Sequence, residues 1–248
     1  MRHPDWQPQH PFSAIVFDCD GTLSTLEGVD ELAKMNNVGE QVALITDRAM
    51  SISGLNPQVY QTRLNLINPR YEQVLQLGKH YFNNQVPNAK AIIQLLQKMD
   101  KSIYLVSAGL KPAVSIFGEL LKISQANIFA VDILFDQQGN FLDYDRTSPL
   151  VRHDGKCTIL SSLKKKHSNI VHIGDGLNDY VTKNIVTRFI GYGGVFYRES
   201  LAARCQYYIR SLSMAALLPF ILTEQEQQQL TLSEQQLYRQ GLSELKKK

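Results

Sequence analysis

The sequence predicts an α/β fold: a mainly parallel sheet with helices on both faces and a helical block inserted after the first strand. Three observations predict it. Beyond residue 86, short apolar runs alternate with helix-length amphipathic stretches, the pattern of parallel strands joined by crossover helices. Between residues 27 and 85, apolar residues recur at helical spacing and no strand-like run interrupts them. Three apolar runs end in polar signatures, Asp18-Cys19-Asp20, Ser107-Ala108-Gly109 and Gly174-Asp175-Gly176. Open parallel sheets bind ligands beyond the C-terminal ends of their strands, so these three ends converge on one crevice.

The elements follow in order. Residues 1–12 read as a polar, proline-containing lead-in, and residues 13–18 as a buried strand, too short an apolar run for a helix. Residues 27–85 read as three or four helices, broken near Ser53-Gly54-Leu55-Asn56-Pro57 and Asn68-Pro69, and roof the crevice. Pro87-Asn88 opens a helix over 89–99. Residues 102–106 form a strand that stops at Ser107-Ala108-Gly109, and Lys111-Pro112 starts a helix reaching about Lys122. Residues 129–135 and 141–144 flank Gln137-Gln138-Gly139-Asn140, a hairpin signal. A helix over 155–167 leads to a strand over 169–173, and 189–191 and 207–209 are short strands. The Gln/Glu-rich stretch 223–248 places Leu230, Leu237, Tyr238, Leu242 and Leu245 near one face, a surface helix packed on its own domain.

Composition narrows the classes. The 248 residues, 44% hydrophobic and 20% charged, suit a soluble globular chain with one large domain or a core and an insert. A net charge of +3 does not single out nucleic acid, and the runs Lys164-Lys165-Lys166 and Lys246-Lys247-Lys248 read as solvated helix ends. Three cysteines without a C-x-x-C indicate neither a disulfide framework nor a zinc knuckle. There is no apolar leader and no run long enough to span a membrane, so the expectation is a cytoplasmic protein.

The chemistry turns on Asp18-Cys19-Asp20. Thiol phosphatases carry an arginine at a fixed spacing after the cysteine; the corresponding positions here are Thr25, Leu163 and Ser211, so Cys19 reads as a small core residue. In an extended segment Asp18 and Asp20 share a side and repel one another, so the site calls for a cation or a retained proton. Mg²⁺ suits it, because that ion pairs one or two carboxylates with phosphate and water; Asp175 or Asp179 could complete the set. Lys156, at a helix start, could offset phosphate charge, and Ser107 with the N–H groups of Ala108 and Gly109 could donate to phosphate oxygens. Phosphoryl transfer through an aspartyl phosphate follows, with Asp18 as nucleophile and Asp20 as general acid and base.

These residues resemble the motifs of the haloacid dehalogenase superfamily. Asp18-Cys19-Asp20-Gly21-Thr22 matches D-x-D-x-T, Ser107 the second motif, Lys156 the third and Gly174-Asp175-Gly176-Leu177-Asn178-Asp179 the fourth, in the right order. Within it, roughly residues 13–220 are similar to the phosphoserine phosphatase family, on the stretches 27–34, 48–50, 63–67, 106–109, 154–156 and 189–194 with Arg198. The resemblance implies a Rossmann-like core, discontinuous over 1–26 and 86–248, a small helical cap over 27–85, and a helical tail, 223–248, appended to the core. It implies Mg²⁺ held by Asp18, the Asp20 carbonyl and Asp175, with Asp179 beside them. It also implies substrate contacts at Glu27 (facing the ammonium), Met50, Arg63 (facing the carboxylate), Ser107, Ala108, Gly109, Lys156, Asn178 and Arg198. The activity implied is hydrolysis of O-phospho-L-serine, the last step of serine synthesis, by a monomer or homodimer.

Three positions depart from the family pattern: Asn56 where Phe is usual, Ala108 where Gly is usual and Gly21 where Ser is frequent. Alternative readings are a related phosphatase for another small phosphomonoester, a phosphoacceptor switch, or an inactive binding protein. Receiver-type switches are about half this length and lack a helical cap.

Overall fold

A computed structural model describes residues 5–52 and 56–246, the side chains of residues 47–52 excepted. Its centre is a six-stranded sheet in the order β3-β2-β1-β6-β7-β8, parallel throughout: β1 (Ala14–Phe17), β2 (Ser102–Leu110), β3 (Ile128–Val131), β6 (Ile170–Gly174), β7 (Arg188–Tyr192) and β8 (Tyr208–Ile209). β1 reads Ala-Ile-Val-Phe and is buried at every position, as a strand covered on both faces must be. It lies between β2 and β6, where the chain order reverses. Its C-terminal end is therefore the switch point at which such sheets bind ligands.

Four helices fill the stretch after β1: α1 (Gly28–Met35), α2 (Gly39–Ile52), α3 (Pro57–Ile67) and α4 (Tyr71–Asn83). Their spacing fixes the buried faces, with Tyr60, Leu64 and Ile67 on α3 and Val74, Leu77 and Tyr81 on α4. Asn56 accepts a hydrogen bond from the Val59 amide at 3.0 Å and caps α3 ahead of Pro57. Asn68 ends that helix in the left-handed region at φ 44°.

α5 (Ala89–Lys98) leads into β2 and α6 (Lys111–Leu120) out of it. Two expectations about strands need correction. β2 does not stop at Val106: it runs on through Ser107, Ala108 and Gly109 to Leu110, past the end of β1, with an irregular register against β3. The polar signature is thus a strand extension, because β3 continues to pair with it at Leu110. The run 129–135 is two strands, divided at Asp132. β3 joins the main sheet, while β4 (Ile133–Phe135) leaves it to pair antiparallel with β5 (Phe141–Tyr144).

α7 (Gly155–Lys164) precedes β6, and α8 (Leu177–Tyr180) follows it; α9 (Glu199–Ala202) lies between β7 and β8. The chain closes with α10 (Leu218–Ile221), α11 (Glu224–Gln228) and α12 (Leu232–Glu244). Thr223 and Thr231 form capping boxes with Glu226 and Glu234. The single helix expected over 223–248 is instead two, because the Thr231 cap starts α12 afresh after α11; in α12 Tyr238 is buried and Gly241 lies against the Ala215 carbonyl. Ion pairs Lys98–Glu234 and Lys101–Glu226 fasten this tail near the N-terminal end of β2, at the strand ends away from the switch point. No helix among the described residues is long and apolar enough to cross a membrane.

Candidate active site

The Asp18 amide makes the last ladder bond with β6, to Ile173 O at 3.0 Å, and the backbone then leaves the sheet. The Cys19 carbonyl gathers the amides of Thr22, Leu23 and Ser24 at 3.0–3.3 Å, which curls the segment into a tight turn. Gly21 sits in it at φ +64°, and a Cβ there would meet Asp175 Oδ2 at 2.7 Å, so the frequent Ser of the family pattern would not fit this arrangement. Cys19 is fully buried, and burial, then Asp20 and Asp18, push its thiol well up, consistent with a core residue and not a thiolate nucleophile.

Lys156, 2% exposed at the start of α7, places Nζ 2.6 Å from both Asp18 Oδ1 and Asp179 Oδ1. Burial pulls its pKa down, but the Asp179 and Asp18 carboxylates outweigh that and the net shift is upward, so the ammonium stays charged. Asp179 also accepts from the Gly176 amide at 3.0 Å; although burial opposes it, Lys156 holds this carboxyl down at about 2. Behind it, His172 Nδ1 lies 2.7 Å from the Thr182 hydroxyl, which donates to the Asp179 carbonyl. Asp175 Oδ2 receives Arg198 at 2.9 and 3.2 Å, and the same guanidinium stands 3.6 Å from Glu27.

Asp20 is held differently. Its Oδ1 accepts from the Gly28 amide and the Tyr81 hydroxyl, each at 2.6 Å, while its Oδ2 lies 3.4 Å from Ser107 Oγ. Ser107 Oγ in turn accepts from the Gly109 amide at 2.9 Å. Burial pushes Asp20 up, and the Tyr81 and Gly28 hydrogen bonds hold it back.

The structure therefore brings Asp18, Asp20, Glu27, Ser107, Gly109, Lys156, Asp175, Asp179 and Arg198 around one crevice. Five carboxylates crowd it against Lys156 and Arg198. Burial, then neighbouring acids, push Asp18 and Glu27 well up; burial lifts Asp175 to about 6 despite Arg198. A divalent cation is what such a surplus of negative charge accommodates, and ligand oxygens of Asp18, Asp175 and Asp179 lie within 4.8 Å of one another. The donor set is all oxygen, so the residues present fit a hard cation.

Three further residues border the crevice. Arg63 comes from α3, near enough to Glu27 and Asp20 to feel both charges, and its Nε is buried with no hydrogen-bond partner among the described residues. Ala108 is half-buried, and its carbonyl accepts from Tyr60 at 3.1 Å, a tie between α3 and β2. Asn178 is half-buried beside Gly176. The Met50 side chain lies outside the described residues. Sequence reasoning missed Tyr81: its spacing with Val74 and Leu77 marks it as core, and only the need of a buried hydroxyl for a partner could have drawn attention to it.

Fold and site define a class, a hydrolase built on a parallel α/β sheet with an acidic centre at its switch point. The comparisons agree. The family model of the haloacid dehalogenase-like hydrolases matches residues 12–182. Human phosphoserine phosphatase is 32% identical over 198 residues, covering 79% of this chain and 88% of the human protein. The chloroplastic phosphoserine phosphatase of Arabidopsis thaliana is 31% identical over 200 residues, covering 79% and 68%. A phosphoserine phosphatase structure, described as a phospho-aspartyl intermediate analogue, superimposes with a TM-score of 0.74 at 24% identity over 86% of this chain and all of that one, which shows the shared fold. The chain belongs to the haloacid dehalogenase-like hydrolases and is a phosphatase among them.

Proposed function

We propose that this chain hydrolyses O-phospho-L-serine to L-serine and inorganic phosphate, as the serine-forming step of biosynthesis, with Mg²⁺ bound. The observation that carries the substrate is the pair Arg63 and Glu27. A buried guanidinium nitrogen without a partner is costly unless an anion joins it. Arginine grips a carboxylate in two parallel hydrogen bonds, and Glu27 stands ready for an ammonium group. An amino acid bearing both groups, esterified to phosphate, fits between them and the acidic floor.

Asp18 would attack phosphorus while the bond to the serine oxygen breaks and Asp20 delivers a proton to that oxygen. Water then attacks the aspartyl phosphate, Asp20 takes its proton, and the Asp18 carboxylate is restored. Lys156 holds Asp18 and offsets phosphate charge; Ser107 and the Gly109 amide border the same oxygens. Asp18, the Asp20 carbonyl and Asp175 would hold the metal, backed by Asp179, whose oxygens Lys156 and the Gly176 amide engage. Bound there, Mg²⁺ supplies charge neutralisation at the phosphate. A fold neighbour described as a phospho-aspartyl intermediate analogue supports this reading. Residues 1–26 and 86–248 would act as the core, 27–85 as a cap and 223–248 as an appended tail. Met50, Ala108, Asn178 and Arg198 would line the substrate, in a cytoplasmic monomer or homodimer.

A second reading, another small phosphomonoester, draws on Asn56: its side chain caps α3 where the family pattern expects an apolar roof. Phosphate release from L-phosphoserine and a panel of phosphomonoesters, with Mg²⁺ and with EDTA, decides between them. Metal-dependent release favouring phosphoserine is the expected result. Release from other esters alone overturns the substrate, and release in EDTA overturns the metal.

A further inference from the structure

Among the described residues, Asp20 is the carboxylate of the crevice that takes hydrogen bonds from the helical block, both of them at Oδ1, while Ser107 Oγ on β2 donates to its Oδ2 at 3.4 Å. Tyr81, on α4, is 1% exposed, and its ring stacks on Phe117 of α6 with centroids 5.5 Å apart. Its hydroxyl and the Gly28 amide, at the start of α1, both donate to Asp20 Oδ1 at 2.6 Å. The approach is close enough that a Cβ at Gly28 would lie 1.9 Å from the tyrosine oxygen. Two donors at that distance saturate Oδ1. A proton placed there would face both of them, so protonated Asp20 carries its hydrogen on Oδ2. In the protonated acid, a half-turn of the carboxyl group would bring its O–H against both donors and break both bonds.

We propose that Tyr81 is a positioning residue for Asp20: with the Gly28 amide it fixes Oδ1 as the acceptor, so that the proton exchanged with the leaving group and with water rides on Oδ2. This rests on the acid/base role given to Asp20 above. The Tyr81 hydroxyl is spent on Asp20, so it acts through the carboxylate. Because it belongs to the helical block, docking of that block on the sheet also sets the acid.

The Tyr81→Phe variant keeps the ring and its packing and removes only the donor. Formation of the phosphoenzyme in a single turnover is followed with two substrates: L-phosphoserine, whose alkoxide needs a proton to leave, and p-nitrophenyl phosphate, whose phenolate does not. The expected result is a slowing of about tenfold with phosphoserine, ~1.4 kcal/mol of barrier, and less than about twofold with the aryl ester, at an unchanged melting temperature. Equal slowing of both overturns the proposal in favour of a packing role, and no slowing of either overturns it outright. These outcomes concern the variant alone. A wild-type chain that forms no phosphoenzyme from either ester instead removes the reaction scheme, and the positioning role with it.

Discussion

The floor and the roof of the crevice are built on opposite plans. On the floor, at the ends of β1 and β6 and the start of α7, the charged atoms are already paired: Lys156 with Asp18 and Asp179, Arg198 with Asp175. On the roof, among the described residues, Arg63 keeps a buried Nε without a partner, and Glu27 stands 3.6 Å from Arg198. The groups proposed to act on every turnover are held in place before substrate arrives, which avoids reorganisation during reaction. Arg63 and Glu27, the groups proposed to select the substrate, keep bonding capacity for a ligand to fill. The difference teaches where each kind of substitution should register: in rate and stability on the floor, in affinity on the roof.

The severest way to break the floor is Asp18→Asn. The shape is preserved and the proposed nucleophile lost, so phosphate release should fall by on the order of 10³-fold or more, with an unchanged circular dichroism spectrum. Retained turnover would move the nucleophile elsewhere. Next comes Lys156→Met, which leaves Asp18 and Asp179 buried without their cation. Breaking such a pair costs about 3–5 kcal/mol, so a melting temperature lower by several degrees should accompany the loss of activity; an unaltered melting temperature would show the pair to be dispensable to the fold. Arg63→Ala sharpens the contrast from the roof. The KM for phosphoserine should rise about tenfold or more, the weight of a charge-assisted contact, while an ester without a carboxylate is little affected and stability is kept. Equal effects on both esters would mean that Arg63 serves the floor.

Much of this was legible in residue types and spacing. Asp18, Asp20 and Asp175 stand out because carboxylates at the mouths of apolar runs have few structural uses, and Lys156 as a cation at a helix start that could answer them. β1 is legible because four consecutive apolar residues are too short for a helix. The division at Asp132 was not, since Phe129 to Phe135 reads as one apolar run and only the pairing partners separate it. The extension of β2 was hidden because Ser107 and Gly109 are turn-forming residues, and pairing at Leu110 overrides that local preference. Tyr81 was hidden in an apolar stripe, where periodicity reports burial and says nothing of what a hydroxyl will meet. Asn56 read as a departure in the roof, whereas its side chain is engaged in capping a helix.

The central place of β1 has a consequence for synthesis on the ribosome. The strand emerges early, but one of its two neighbours in the sheet, β6, begins only at Ile170. At about 5–20 residues per second, the roughly 150 intervening residues take on the order of 8–30 seconds to appear. For that interval Ala14-Ile15-Val16-Phe17 has an open edge, a nascent segment that a chaperone would be expected to shield.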